Sequence, residues 1–305
     1  MKNCFLSLLF LLLTFNVFAQ EDVEMTTKPV KDTILGNRTL LYAGTFNAEK
    51  ALVQLFPGKI FRKDKKIVIN WTCPSCKAVP YVDENGDPEN AIFPFKEGVA
   101  TRLINEMDFT DANGTAYKVI SFNHSPFDAD GLQMVRFQGG VLGMAKFILT
   151  DNGWKLRMFT PAIGGYGSFS QAPTPKPVQI GDDQWAFLLE HINGGAGGAY
   201  YAIGYLIAGI YGTYKKVMAA PYIRKVNDPE GEWSYTVEAT GDKKQFRDLV
   251  FNVSGNYTEE DKEYLPEELQ ALIKGKKKGS FSFQQKYVHN GRYYVQQKAV
   301  VLKAK

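Results

Sequence analysis

The chain has 305 residues, 45% of them hydrophobic, three cysteines and a formal net charge of +4. That length is ample for one large β domain or two smaller ones. Its weak, interspersed charge lacks the basic stripe of a nucleic-acid binder, and Lys276-Lys277-Lys278, a short basic run, reads as a solvated turn.

Residues 1–19 read as a secretory signal peptide: Lys2 gives a positive start, 5–13 is an apolar run, and Val17 and Ala19 are small residues before Gln20. The run falls short of the roughly 20 apolar residues that a spanning helix needs. The expected location is therefore the periplasm or beyond, and the short leader ending Phe18-Ala19-Gln20 is bacterial in type. Cys4 would leave with it. Residues 20–35 form a flexible polar lead-in, and 36–305 a β-rich domain that a break near 130–140 would divide into two packed lobes. The later apolar stretch 199–214 mixes tyrosines and glycines, which suits strands and turns better than a membrane span.

In chain order, 40–42 predicts a short strand and 47–53 a short helix capped by Asn47 and stopped near Pro57-Gly58. Residues 66–71 alternate as a strand. Asn85-Gly86, Asn113-Gly114, Asn152-Gly153 and Asn290-Gly291 each separate apolar runs and predict tight antiparallel hairpins with φ > 0 at both turn residues. Strands are expected at 117–122, 133–137, 146–149, 155–159, 185–189, 233–237, 279–283 and 299–302. Pro266, the first-turn acids Glu267 and Glu268, and Gly275 mark a second helix. The fold class is mainly β, an antiparallel hairpin-rich sandwich or barrel-like architecture with one or two short helices.

Among the chemistries, Cys73 and Cys76 come first. The stretch from Lys66 through Trp71-Thr72-Cys73-Pro74-Ser75-Cys76-Lys77 resembles the active-site stretch of thioredoxin-like oxidoreductases. The resemblance covers about a dozen residues. It implies an exposed Cys73 thiolate at the N-terminus of a following helix. Val79-Pro80-Tyr81 leaves no room for that helix, so the favoured reading is a structural Cys73–Cys76 disulfide, formed after export. Zinc binding would need His124, His191 and His289 to converge, and no metal or cofactor is expected.

Asn123-His124-Ser125 with Asp128 and Asp130 outlines a hydrolase alternative, against a polar loop as the plain reading. Asp83, Asn85 and Asp87 imitate an EF-hand start, but Pro88 stands where glycine is required. Gly194–Gly198 lacks the Lys-Ser/Thr of a phosphate loop. Six N-x-S/T sequons begin at Asn37, Asn70, Asn113, Asn123, Asn252 and Asn256.

The segment 163–177 is long, glycine- and proline-rich and interleaved with aromatics, the style of a binding loop on a β scaffold. Tyr166, Phe169, Trp185 and Tyr200 are the candidate ligand platform, for sugar rings or apolar groups, with core filling as the alternative. The leading expectation is a non-catalytic binding or structural module of the cell envelope, its partner a carbohydrate or envelope protein. The alternatives are a thiol–disulfide oxidoreductase or a hydrolase near 124–130.

Overall fold

A computed structural model describes residues 26–36, 38–63, 65–86, 91–127, 136–192, 199–228 and 231–305. The protein is mainly β, with two short helices and antiparallel sheets that include a curled half-barrel.

The first sheet has eight strands: β1 (Lys28–Pro29), β2 (Leu41–Tyr42), β3 (Lys59–Lys63), β4 (Lys66–Thr72), β7 (Val99–Thr110), β8 (Ala116–Pro126), β9 (Gly140–Thr150) and β10 (Gly153–Tyr166). They run in the order β1-β4-β7-β8-β9-β10-β2, with β3 on β4. Two residues each make β5 (Val79–Pro80) and β6 (Ile92–Phe93), a separate ribbon. The second sheet is a meander of nine: β11 (Lys176–Gln179), β12 (Trp185–His191), β13 (Tyr200–Ile210), β14 (Thr213–Val226), β15 (Trp233–Thr240), β16 (Asp248–Tyr257), β17 (Gly279–His289), β18 (Tyr294–Gln296) and β19 (Val300–Ala304). Between these strands only β1–β4 pairs in parallel.

Three cores stack through the molecule. On the outer face of the first sheet, helix α1 (Ala48–Leu55) lays Leu52 and Leu55 over Ile69, Trp71, Phe122 and Phe147. Asn47 caps it through Lys50 N–H at 2.9 Å, as its sequence predicts. Between the sheets, Met107, Val119, Leu142, Met144 and Tyr166 meet Phe187, Leu189, Tyr205, Ile207 and Tyr214. Beyond the second sheet, Leu188, Leu206 and Ile223 join Phe251 and Phe281, and helix α2 (Glu267–Leu272) docks Leu269 there. On β12, Phe187 and Leu189 thus enter one core while Ala186 and Leu188 enter another, as strand alternation requires. Burying both faces erases the polar–apolar rhythm that betrays a one-sided strand.

The predicted strands 117–122, 146–149 and 155–159 lie inside β8, β9 and β10, and those at 185–189, 233–237 and 279–283 open β12, β15 and β17. The strand expected at 299–302 begins one residue ahead of β19, and 199–214 covers β13, the Tyr211-Gly212 turn and the start of β14. β7 escaped the sequence pattern because a bulge between Leu103 and Asn105 interrupts its alternation. The expected strand at 133–137 falls mostly outside the described residues, and Arg136-Phe137 form a turn. The Asn-Gly hairpins at 113–114 and 152–153 join β7 to β8 and β9 to β10, but only the glycines carry positive φ (80° and 111°). That is the one-glycine form of a tight hairpin rather than the form with both residues left-handed.

The expected break at 130–140 lies between β8 and β9, which pair along His124↔Val141 to Tyr117↔Ile148, so one sheet bridges it. The chain passes from the first sheet to the second over 167–175. The signal-peptide segment, Asp87-Pro88, Asp128 to Gly131 and Gly194–Gly198 lie outside the described residues.

Candidate functional site

The segment 163–177 is less a loop than the sequence suggests. β10 continues to Tyr166, and Asp83 bridges to Gly165 where the 81–86 turn docks against it. Tyr166 is 1% exposed, and its ring lies 5.4 Å from Tyr205. Burial, with the charge of Glu84 nearby, drives its phenol far above the usual range. It fills the core between the sheets and offers no face to a ligand.

The turn that follows is built differently. Phe169 and Ser170 both have φ of 54°, and Phe169 is 42% exposed. The turn is pinned from beneath: buried Asn123 on β8 donates to the Ser170 carbonyl (3.0 Å) and accepts from Ala172 N–H (2.8 Å). Gly140 leaves the space for this, because a side chain there would collide with Asn123 Oδ1 and the backbone of Ala172. Phe169 and Ser170 donate their backbone N–H groups to Arg136 and Gln138 carbonyls at 3.2 and 2.8 Å.

Phe169 lines a cavity of about 300 Å³ with Arg136, Ser168, Ile192, Tyr200, Val226 and Asn227. Tyr200 and Val226 are partners across β13–β14 and so share a face. Asn227 is also left-handed, at φ 63°. Phe137, 65% exposed, lies 5.3 Å from the Arg136 guanidinium. Two of the four predicted residues, Phe169 and Tyr200, therefore share one cavity. Trp185 does not join them. It packs at 4.8 Å on Phe109, at the opposite end of β12 from Ile192, about 23 Å away along a strand of this length. Sequence reading missed Arg136 and Asn227; exposed aromatic-basic and asparagine turns were their only signal.

The other candidate chemistries are dispersed. Cys73 and Cys76 form a disulfide at the end of β4. A tight turn and extended β5 follow in place of a helix, so the N-terminus that would stabilise a thiolate is missing. His124 is wholly buried on β8 among Phe56, Trp71, Phe93 and Phe122. Trp71 Nε1–H donates to Thr101 Oγ1 (2.8 Å), and Thr101 Oγ1 lies 2.7 Å from His124 Nδ1. His124 Nε2 is 3.0 Å from the Pro161 carbonyl. A carbonyl only accepts, so Nε2 carries the proton and Nδ1 accepts from Thr101. Burial pushes His124 down to about 3, which holds it neutral. It serves as a structural link. Ser125, also buried, accepts from Arg102 at 2.5 Å.

His191 sits at the sheet seam, where Nδ1 accepts from Gly167 N–H at 2.9 Å, and His289 stacks on Phe246 at 4.0 Å. The three histidines lie in three different places, and among the described residues no group of three His, Cys, Asp or Glu is placed to hold a metal ion. Asn70 and Asn123, two of the sequon asparagines, are buried within strands. No described helix is long and apolar enough to cross a membrane. Compared with protein-family models, curated proteins and solved structures, the chain matches none of them.

Proposed function

We propose that the protein is an exported, non-catalytic binding module of a cell envelope, and that its site is the cavity of Arg136, Phe169 and Tyr200. One observation carries this reading: Phe169 is an exposed aromatic held in left-handed backbone. That conformation costs a non-glycine residue roughly 1–2 kcal/mol, and a half-exposed ring recovers less by burial than a core ring does. Strain of this sort is retained where surrounding structure over-determines it and function uses it. Asn123 supplies the over-determination here.

The lining suits a ring with an apolar face and an acidic group, such as a uronic-acid sugar. Phe169 and Tyr200 offer stacking surfaces, and Arg136 places a positive charge on the wall that attracts a carboxylate. The volume is at the small end of the roughly 300–1,000 Å³ of ligand sites, enough for about one sugar ring. A Cys73–Cys76 disulfide is in keeping with an oxidising compartment.

The test is Phe169→Gly, assayed by calorimetric titration with soluble uronic-acid oligomers. Glycine removes the left-handed penalty, so the unfolding midpoint should hold or rise while binding weakens by about tenfold or more. Wild-type protein that binds no acidic oligomer, or a variant that binds as well as wild type, would overturn the proposal. A variant that loses stability as well as binding would show instead that Phe169 is a packing residue.

A further inference from the structure

A second recess lies on the far side of the same strands. Tyr200 and Tyr201 are adjacent on β13 and face opposite ways, so the first lines the loop cavity and the second enters the curl of the second sheet. There Tyr201 stacks on Tyr264 at 3.9 Å, and Tyr222 meets Tyr264 edge-on at 5.0 Å. Tyr222 and Tyr264 form the lip of a groove of about 590 Å³, roughly twice the loop cavity. Tyr222 is the second aromatic with strained backbone at a recess, at φ 53°.

The floor is as informative as the lip. The inward face of β17 reads Phe281, Phe283, Gln285, Tyr287, so an amide interrupts an aromatic stripe. Gln285 is 5% exposed. It accepts from Gln296 Nε2 at 3.1 Å and donates to the Gln297 carbonyl, which draws two more glutamines to the groove wall. Burying an amide in an apolar stripe is unfavourable unless its hydrogen bonds are met. The remaining charges along the groove are Glu263, Glu267 and Glu268 against Lys298, a net negative rim.

We propose that this groove binds a neutral glycan chain. Tyrosine and phenylalanine faces match the apolar faces of sugar rings, and several amide side chains match their hydroxyls as donors and acceptors. The acidic rim repels sulfated or uronic-acid chains, so the groove and the loop cavity select ligands of different charge. The rings are fixed before any ligand arrives: Tyr201 OH donates to Asp261, which is itself paired with Lys225 at 2.6 Å. Such preorganisation lowers the entropy cost of binding.

The experiment is calorimetric titration of the full chain with soluble neutral hexaoses of glucose, mannose and xylose, and with a polyproline peptide as the competing occupant of a tyrosine-lined groove. At least one neutral hexaose should bind, and Tyr222→Gly should weaken it by about tenfold or more with the unfolding midpoint held, since glycine accepts φ 53° without strain. Gln296→Ala, at an exposed rim position, should also weaken binding and gives a reading should Tyr222→Gly fail to fold. Phe169→Gly should leave neutral-glycan binding unchanged, which separates this site from the loop cavity. Absence of binding to all the neutral hexaoses, binding that survives both groove substitutions, or binding of polyproline alone would overturn the proposal.

Discussion

Two buried polar networks hold the two sheets, and they differ in kind. In the first sheet Trp71, Thr101, His124 and the Pro161 carbonyl form a neutral relay. In the second, Lys225 pairs with Asp261 and Asp228 at 2.6 Å each, while Tyr201 and Thr258 donate further hydrogen bonds to Asp261. Lys225 and Asp261 are each 1% exposed at the side chain. Intuition assigns pH sensitivity to the charged network; the physical chemistry assigns it to the neutral one. Burial alone would raise Asp261, but the bonds from Lys225, Tyr201 and Thr258 outweigh it and hold the carboxyl below its usual range. Burial alone would lower Lys225, and Asp228 and Asp261 outweigh that and hold it above 10.5. Both groups keep their charges across the whole neutral range. His124 is neutral only because it is buried, and an unfolded chain would let it take a proton.

The largest expected effect comes from breaking the ionic network. Lys225→Met leaves Asp261 buried without its cation, and loss of one partner of a buried pair costs about 3–5 kcal/mol. Urea unfolding should show that loss in the midpoint. Adding Asp261→Asn should restore much of it: the uncompensated charge is gone, the amide oxygen still accepts from Thr258, and the amide NH2 donates to Tyr201 OH, which turns to accept. Failure of the second change to recover stability would mean that the pair contributes more than mutual neutralisation.

The neutral network is tested with acid. His124 takes up a proton near 6.5 when unfolded and near 3 when folded, so between those values the unfolded chain binds more protons. Stability from this burial is complete above 6.5 and drains away as pH falls toward 3, by about 2 kcal/mol at pH 5. His124→Gln keeps a donor and an acceptor but does not titrate, so it should flatten the slope of unfolding free energy between pH 6.5 and 4. Some slope should persist from His191, which burial also lowers against the opposing charges of Glu84 and Asp83. An unchanged slope would show that His124 is reached by solvent before the sheet unfolds.

The contrast also explains what the sequence could reveal. The hairpin turns at Asn113, Asn152 and Asn290, the Asn47 cap and the second helix were legible because each is a local bargain between neighbouring residues. Asn85-Gly86, by contrast, lies within the long connection from β5 to β6 and makes no tight hairpin. The mainly β class followed from them. Networks and recesses are not local: Lys225 and Asp261 come from different elements, and nothing in the text around Lys225 marks it as buried. The tyrosines make the point most clearly. Tyr166, Tyr200 and Tyr201 have similar surroundings in the sequence, yet one fills the seam, one lines the loop cavity and one braces the groove. Which face a tyrosine takes depends on strand phase, and strands buried on both sides hide their phase. Left-handed Phe169 and Tyr222 left no signal either, since that conformation is ordinarily announced by glycine or asparagine.

The disulfide gives the smallest effect. It lies two residues beyond Trp71, so it could be mistaken for part of the first-sheet network. Its action is different. A cross-link restricts the unfolded chain, and a loop this short is worth at most about 2 kcal/mol on the loop-entropy account. Neither sulfur titrates while bonded, so Cys73→Ser with Cys76→Ser should lower stability by that much or less, equally at pH 5 and pH 7. The variant's stability–pH curve should run parallel to that of the wild type, displaced downward, whereas His124→Gln should change its slope. If the serine variant also loses the acid slope, Cys73–Cys76 must hold β4 in the register that keeps Trp71 on Thr101, and the relay would begin at the disulfide.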